Sequence, residues 1–336
     1  MSTMNSTQAL ITEISYNMST PPANTMSLGS RVICFFLTLS SILLLTLNLL
    51  CLLVLRHVDN IHDTTKVFLR SMTVADLGVG IFMALPMTVT LQTQRWPFGT
   101  ALCAVQSFTM FSSILGSLLS LLLLTVDRYI SVVYALRYHS LVTRKRARIA
   151  VCCVWSLTVA LMTGAGIISN WHTEYLPSVL MCYFSSKNDK SRIQTYFAIL
   201  YIAVILLCLL TLLIAYTRLF MITRRHAQRI HTDNEIAQNG QVPGTLTKKT
   251  LHTLLLMVLA AFLFSIIPAL CVSLNLDNMN SYYTFFLLAL PILTNSWLNA
   301  VIYYLRNKEF RQATKALLRS YGTSFQKVIR CKFNTN

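Results

Sequence analysis

Residues 101–129 decide the fold: they read ALCAVQSFTMFSSILGSLLSLLLLTVDRY, an apolar run that ends at Asp127-Arg128-Tyr129. The run is long enough to cross the ~30 Å hydrocarbon core of a bilayer as a helix. An acid beside a base costs several kcal/mol when it faces lipid, so this pair is expected where the membrane meets the cytosol. At that position it fits a switch that a protein partner could read.

Similar apolar runs recur along the whole chain. Of its 336 residues, 54% are hydrophobic and 12% are charged, whereas a soluble domain carries about 25% charged residues. Only helices and closed barrels satisfy backbone groups in lipid, and continuous apolarity favours helices. Segments of about 20 residues or more can span the membrane, and we place seven at Val32–Leu55, Val67–Leu91, Ala101–Tyr134, Ile149–Ser169, Ile193–Ile222, Thr250–Ser273 and Tyr282–Leu305.

Positive charges lie mostly on one side of this predicted membrane. Of 28 Lys and Arg residues, 23 fall on that side, and the others are Arg31, Arg95, Lys187, Lys190 and Arg192. The positive-inside rule then places the amino terminus outside the cell and the carboxyl terminus in the cytosol. The net charge of +17 therefore reflects topology, with some attraction to anionic lipid, and does not indicate nucleic-acid binding.

The chain divides into one membrane domain, residues 31–305, and two flanking segments. Residues 1–30 form an outer tail that lacks the layout of a cleaved signal peptide, so the first span is expected to be an uncleaved anchor. The tail contains sequons at Asn5 and Asn17, which are either glycosylation sites or chance matches. Residues 306–336 form the cytoplasmic end.

Two of the nine cysteines face the oxidising side of the membrane. Cys103 lies at the outer end of the third span and Cys182 lies in the loop after the fourth. Because they are the only pair so placed, a disulfide between them is predicted. Cys331 in the basic cytoplasmic end is either a palmitoylation site or a plain surface thiol.

Motifs that occur one per span, in order, resemble the rhodopsin-like (class A) G-protein-coupled receptors over almost the whole chain. The third span carries Cys103, Ser117 and Asp127-Arg128-Tyr129, and the seventh ends in Asn299-Ala300-Val301-Ile302-Tyr303. The other spans carry Asn48, Ala75-Asp76-Leu77, Trp155, Tyr216, and Phe262 with Pro268. The resemblance implies an all-α protein of the plasma membrane, a seven-transmembrane helix bundle with a short amphipathic eighth helix after Arg306. It also implies signalling to heterotrimeric G proteins.

Four positions depart from the family pattern. Cys208 replaces the proline of the fifth span, Ile266 replaces the tryptophan before the span-six proline, and Ala300 replaces the proline of the Asn-Pro-x-x-Tyr motif. Lys248 stands where family members often carry an acid that restrains the arginine of the third span. Because Lys248 would repel Arg128, we predict raised basal signalling.

Asp76 is the only acid deep within a predicted span, and an ionisable group at that depth is a functional-site hypothesis. Oxygen ligands around one carboxylate suit a hard cation, and the resemblance implies a sodium ion that favours the inactive state. The alternative is a hydrogen-bonded polar cluster that packs the helices. The partners that the resemblance implies are Asn48, Ser117, Asn295, Ser296 and Asn299.

The resemblance assigns the cytosolic switch to the third span and its neighbours. Arg128 pairs with Asp127 at rest and turns toward the G protein, with Tyr216 and Tyr303, on activation. Leu136, eight residues past Arg128, resembles the apolar residue that enters a pocket on the G protein. Packing under the second cytosolic loop is the alternative for Leu136.

The resemblance also places a ligand pocket in the outer half of the bundle. Met110 stands where amine receptors carry an aspartate, and a buried ammonium without a counter-ion pays a large desolvation cost. Leu293 stands where opsins carry the retinal-binding lysine. The lining favours a lipid, a sterol-like molecule or another neutral ligand. Its residues are Met110, Phe111, Ile114, Leu200, Val204, Ile266, Ala269, Leu270, Ser273, Ala289 and Leu293.

Other interpretations stay open. The apolar lining also fits ordinary helix packing in a receptor that signals without a ligand. Such a receptor could instead modify a partner receptor, and a homo- or hetero-dimer is a further possibility. A peptide bound to the outer loops is a further candidate. The sequence offers Asp76 no second deep carboxylate and contains no His-Glu-x-x-His motif, which disfavours an intramembrane enzyme. One buried acid is thin support for a channel or transporter.

Overall fold

The computed structural model describes residues 27–58, 61–93, 95–177, 179–185 and 285–333, with scattered residues of 202–221. These residues are mainly helical, with one antiparallel hairpin of strands β1 (Thr173–Leu176) and β2 (Met181–Phe184). The helices are α1 (Leu28–His57), α2 (Asp63–Val79), α3 (Leu85–Thr93), α4 (Gly99–Val133), α5 (Tyr138–Leu141), α6 (Arg144–Ile168), α7 (Leu290–Arg306) and α8 (Lys308–Phe333).

Four described segments are long and apolar enough to cross a membrane, and they match the first four predicted spans. These segments are Leu28–His57, Asp63–Thr93, Gly99–Ser131 and Arg144–Ile168. The seventh predicted span contains α7, preceded by the π-helical turn Phe285–Ala289. Apart from the helical residues of 202–221, the fifth and sixth predicted spans lie outside the described residues.

Polar caps start α1 and α6 before their apolar segments begin. Ser27 Oγ accepts a hydrogen bond from Ser30 N (3.2 Å), and Thr143 Oγ1 accepts one from Arg146 N (3.3 Å). Each bond satisfies an N–H group that the first helical turn leaves without a partner. Helix α1 therefore begins at Leu28 rather than at the predicted Val32, and α6 begins at Arg144 rather than at Ile149.

The second span is interrupted by a wide turn. The π-helical turn Gly80–Ala84 separates α2 from α3, and Pro86 follows at the start of α3. A proline lacks the N–H group of a helical bond and its ring clashes with the preceding turn, which a wider turn relieves. At Gly80 an added Cβ would lie 2.5 Å from Leu44 Cδ2, so glycine allows α1 to approach closely here.

Helix α4 packs against both α2 and α6, and a polar chain joins the three helices. Ser71 Oγ of α2 lies 2.8 Å from Ser120 Oγ of α4 and accepts a hydrogen bond from Trp155 Nε1 of α6 (3.1 Å). The Trp155 ring also covers Gly116, where an added Cβ would lie 3.3 Å from the ring. Interhelical hydrogen bonds of this kind fix the relative rotation of membrane helices.

Two buried apolar clusters stack along the bundle. The inner core, at the end of the bundle where Tyr129 packs, includes Val54, Leu69, Leu121, Tyr303 and Phe310. The outer core includes Leu37, Met83, Met110, Leu180, Met181 and Leu293. Along α2, Asp76 lies between residues of the inner core and residues of the outer core, so the buried acid separates the two clusters.

Helix α7 runs without interruption through Ala300, where the resemblance would place a proline. Asn307 joins α7 to α8, because its Nδ2 donates to Tyr303 Oη (3.0 Å) and its Oδ1 accepts from Phe310 N (3.0 Å). Helix α8 has 26 residues and is longer than the short helix that the resemblance implies. Its first turns bury Phe310 and Thr314 and pack against α1 and α7.

Candidate functional site

Near the carboxyl end of α4, Asp127 and Arg128 form an ion pair. Arg128 Nη2 lies 2.7 Å from Asp127 Oδ2, and its Nε lies 3.2 Å from the same oxygen. Thr65 Oγ1 of α2 donates to this Oδ2 (3.0 Å) and also contacts Arg128 Nη2. Asp127 is buried, so the guanidinium is held against the bundle by a desolvated carboxylate.

Tyr138 of α5 completes this site and was not predicted from the sequence. Its hydroxyl donates to Asp127 Oδ1 (2.7 Å) and lies 2.8 Å from Thr64 Oγ1 of α2. Burial raises the pKa of Tyr138, and the hydrogen bond to Asp127 raises it further, so the hydroxyl remains a donor at neutral pH. Because Tyr138 uses Oδ1 and Arg128 uses Oδ2, the two partners hold the carboxylate without competing.

Leu136 lies on the surface of the segment that joins α4 to α5. It is in the 3₁₀ turn Ala135–Arg137, and its side chain is fully exposed. The structure therefore contradicts the alternative in which Leu136 packs under the loop. An exposed leucine beside the Arg128 site gains from burial only when another molecule covers it.

Asp76 of α2 is fully buried and receives hydrogen bonds from two other helices. Ser117 Oγ of α4 donates to its Oδ1 (2.7 Å), and Asn299 Nδ2 of α7 donates to its Oδ2 (3.4 Å). Ser296 of α7 is also buried, and its backbone oxygen accepts a hydrogen bond from Asn48 of α1. Asp76 therefore connects α2, α4 and α7 between the two apolar cores.

Two buried amide oxygens on α7, Asn295 Oδ1 and Asn299 Oδ1, lack a hydrogen-bond partner among the described residues. A buried polar group left unsatisfied costs about 1–3 kcal/mol, so each oxygen has capacity for a donor or a cation. Hard cations prefer oxygen ligands, and a carboxylate adds negative charge. Asp76, Ser117 and these amide oxygens are therefore oxygen ligands of the kind that a hard cation prefers.

Asn48 of α1 has different partners from those that the resemblance implies. Its Nδ2 donates to the backbone oxygens of Leu44 (2.9 Å) and Ser296 (3.2 Å). The second bond joins α1 to α7 beside the Asp76 cluster. Asn48 therefore supports the position of Ser296 instead of bonding to the carboxylate through this amide group.

The described residues of the predicted outer pocket belong to, or pack against, one buried apolar cluster. Met110, Ala289 and Leu293 are buried in the outer core, and Phe111 and Ile114 pack against this core. Leu180 and Met181, from the turn and the second strand of the β1–β2 hairpin, belong to the same core. The β1–β2 hairpin thus contributes to the same buried core as the residues that the resemblance assigns to a ligand site.

Three contacts anchor the hairpin. The disulfide Cys103–Cys182 joins β2 to α4 with the Cα atoms 5.3 Å apart, which confirms the predicted bridge. Gln106 Oε1 accepts a hydrogen bond from Cys182 N (2.9 Å), and Thr90 Oγ1 donates to Leu180 O (3.3 Å). Gln106 was not predicted, although a polar residue in an apolar run close to Cys103 was a usable signal.

These features match a known receptor family. The family model described as "7 transmembrane receptor (rhodopsin family)" matches residues 47–314, which is most of the chain. The chain belongs to this family. It is therefore a multi-pass membrane receptor with a seven-helix bundle that couples to G proteins and takes a ligand, and the family consists of receptors rather than enzymes.

Curated relatives resemble this rhodopsin-family receptor over most of their length. Melanocortin receptor 5 of Rattus norvegicus is 26% identical over 298 residues, 85% of this chain and 84% of the relative. Adenosine receptor A2a of Cavia porcellus is 29% identical over 296 residues, 78% and 66% of the two chains. Melatonin receptor type 1B of Homo sapiens is 25% identical over 286 residues, 81% and 74%. The three names point to different ligands and select none for this receptor.

For two further predicted residues of this receptor, the structure gives only their position. Tyr129 packs partly buried against the inner core, and Cys331 lies in the last part of α8. The remaining predictions lie outside the described residues: Tyr216, Leu200, Val204, Ile266, Ala269, Leu270 and Ser273, the sequons at Asn5 and Asn17, and the departures Cys208 and Lys248. They stay predictions.

Proposed function

We propose that this receptor passes a signal from a neutral, largely apolar ligand outside the cell or in the bilayer to a cytosolic G protein. In this proposal the receptor lies in the plasma membrane, with its amino terminus outside the cell and its carboxyl terminus in the cytosol. Activation separates Arg128 from Asp127, so that the guanidinium and the exposed Leu136 together meet the G protein.

The arrangement around Asp127 carries this proposal. A buried carboxylate that binds Arg128, Thr65 and Tyr138 stabilises one position of the guanidinium. Charge-assisted hydrogen bonds are about twice as strong as neutral ones. The resting state, in which Arg128 binds Asp127, is therefore distinct from an active state in which Arg128 contacts a G protein instead. A ligand shifts the balance between such states only through its different affinity for each.

The ligand class is inferred from the chemistry of the outer core. The described pocket residues Met110, Phe111, Ile114, Ala289 and Leu293 are apolar. A charged ligand would lose its hydration there without an opposite charge from these side chains. An apolar body held by few hydrogen bonds suits them, and this supports a lipid or a sterol-like molecule over an amine.

Sodium is proposed as an inhibitory ion at Asp76. Asp76, Ser117 and the amide oxygens of Asn295 and Asn299 would hold it, and the ion would supply a positive charge that neutralises the buried carboxylate. By connecting α2, α4 and α7, a bound ion would favour the compact arrangement of these helices. Asn48 would support the site through Ser296.

The test is basal guanine-nucleotide exchange by a panel of G proteins with full-length receptor in nanodiscs. Arg128→Ala and Leu136→Asp are each expected to lower exchange by about tenfold or more, the loss that follows from removing a hot-spot contact. Ser140→Asp introduces the same charge into the same exposed loop and is expected to retain wild-type exchange. Exchange that is absent throughout, or independent of Arg128, would contradict the proposal, and Arg128-independent ion flux would favour a channel.

A further inference from the structure

The outer core contains a segment of the β1–β2 hairpin. Leu180 and Met181 of the β1–β2 hairpin are 6% and 7% exposed. They share one buried core with Met110 of α4 and Leu293 of α7. We propose that Leu180 and Met181 are a tethered ligand of this pocket that stabilises the resting receptor, an inference that rests on the receptor function proposed above.

The backbone at Leu180 is held in an unusual conformation. Its φ is +59°, in the left-handed region that side chains larger than those of Gly, Asn or Asp seldom adopt. Such a conformation persists only where the surroundings over-determine it. Here Leu180 N donates to Leu176 O (2.9 Å), and Leu180 O accepts from Thr90 Oγ1 of α3 (3.3 Å). These bonds fix the turn with its leucine buried in the bundle.

The neighbouring strand fixes the position of this turn. Cys182 directly follows Met181 and is joined to α4 by the disulfide and by the hydrogen bond to Gln106. A group attached this way has a high effective concentration at its site, because its binding is intramolecular. A ligand that diffuses into the pocket must therefore displace Leu180 and Met181.

The sign of the effect follows from the cytosolic end of the same structure. While the hairpin residues are buried in the outer core, Asp127 holds Arg128 and Tyr138. A ligand favours the state to which it binds more tightly, and here the filled pocket and the closed ion pair occur together. The tethered residues therefore act as an inhibitor, and a displacing ligand acts as an activator.

Gln106 indicates the chemistry of the displacing ligand. Its Oε1 accepts from the hairpin, whereas its Nε2 is buried without a hydrogen-bond partner in the part of the chain that the structure describes. Gln106 lies one helical turn before Met110 on α4, so the two side chains share a face. An apolar molecule with one carbonyl, hydroxyl or ether oxygen would satisfy this donor while its body replaced Leu180 and Met181.

A glycine substitution removes the tethered side chain without straining the turn. Leu180→Gly suits the positive φ, so the bond from Thr90 to the backbone oxygen can remain. Leu176→Gly is the matched control, because Leu176 precedes the same turn and is absent from the outer core. Each change is combined with Met110→Cys in full-length receptor in nanodiscs.

Two rates are then measured. The first is modification of the Met110→Cys thiol by a membrane-impermeant methanethiosulfonate, corrected for parent receptor with Met110 intact. Leu180→Gly is expected to raise this rate by about tenfold or more, as loss of a buried leucine opens the site, whereas Leu176→Gly changes it little. The second is basal nucleotide exchange without Met110→Cys, which Leu180→Gly is expected to raise severalfold.

The outcomes separate this inference from the proposed function. Equal modification rates in the Leu180→Gly and Leu176→Gly proteins would overturn a self-occupied pocket. Faster modification with unchanged or lowered Arg128-dependent exchange would overturn the inhibitory role. If no protein supports exchange, the receptor function fails instead, and the modification rates still decide whether the hairpin fills the pocket.

Discussion

Asp127 uses its two carboxylate oxygens for different partners, and this division determines how the loss of one partner acts. Tyr138 donates to Oδ1, while Arg128 and Thr65 bind Oδ2. Tyr138 therefore orients the carboxylate without competing for the oxygen that holds the guanidinium. Its removal should weaken the restraint on Arg128 and not strengthen it.

Tyr138→Phe is accordingly expected to raise basal nucleotide exchange. The variant removes a hydrogen bond to a charged acceptor, worth about 1.5–3 kcal/mol, from the resting state. A shift of this size changes a two-state ratio by roughly 10- to 150-fold. Exchange is measured with purified receptor and the G protein that couples best.

Tyr134→Phe is the control for Tyr138→Phe. Tyr134 is exposed near the same end of α4, so it loses the same hydroxyl without a buried carboxylate as partner. Its exchange should equal that of the wild type. If the two variants change exchange equally, or if Tyr138→Phe lowers it, Tyr138 does not restrain the switch.

At the scale of elements, the end of α6 sets the position of the hairpin that covers the pocket. An added Cβ at Gly166 would lie 2.8 Å from three atoms of the Trp171 ring. That ring stacks on Phe108 of α4 and meets Phe184 of β2 edge to face. A side chain at position 166 must therefore displace the ring that joins α6, α4 and the hairpin.

We expect Gly166→Ala to lower the midpoint of thermal unfolding in detergent by several degrees. Overpacking of a tight contact costs about 1–3 kcal/mol, and the Trp171 ring cannot bend to avoid it. Gly164→Ala is the matched control in the same helix, since no atom lies within 4 Å of its added Cβ. Alanine favours a helix by about 1 kcal/mol over glycine, so this midpoint should stay or rise. Equal midpoints for the Gly166→Ala and Gly164→Ala proteins would contradict a tight contact between position 166 and the Trp171 ring.

The helices could be predicted from the sequence more completely than their ends or their turns. Apolar length locates a span because lipid demands it. The first turns of α1 and α6 instead depend on Ser27 and Thr143, whose capping bonds form outside the apolar segment. The widened turn before Pro86 also has no periodic signal, because it results from the proline and from the close approach of α1 at Gly80.

The contacts of the candidate site could likewise be predicted from the sequence only in part. The contacts of Asp76 with Ser117 and Asn299 could be predicted because the motifs fix all three at one depth of the bundle. Thr65 and Tyr138 could not be predicted as partners of Asp127, because the fold of the segment after α4 brings Tyr138 to α2. The burial of Leu180 depends on a positive φ, which nothing in the sequence requires at a leucine.

At the scale of the whole molecule, Asp76 connects three helices, so its charge should affect the equilibrium of the entire bundle. Sodium chloride is expected to lower basal exchange of the wild type by about fivefold or more relative to choline chloride at equal ionic strength, the size of a typical allosteric coupling. Asp76→Asn should abolish this difference, because a neutral amide attracts the cation less.

Asp63→Asn provides the matched change for Asp76→Asn at an exposed position. Asp63 lies at the start of α2 and pairs with Lys66 (3.6 Å) and Arg144 (3.5 Å) on the surface. Exposed ion pairs contribute little, so this variant should keep the sodium effect of the wild type. A sodium effect that persists in Asp76→Asn would remove Asp76 from the ion site.

Because α7 is unbroken, it is expected to move as one rigid helix. Leu293 in the outer core and Tyr303 in the inner core lie on one continuous helix, about 15 Å apart along its axis. A proline at position 300 would have introduced a hinge where part of a tilt is absorbed. With Ala300 in its place, a lateral displacement of the helix near Leu293 also moves the segment near Tyr303. Asn307 then transmits this movement to α8.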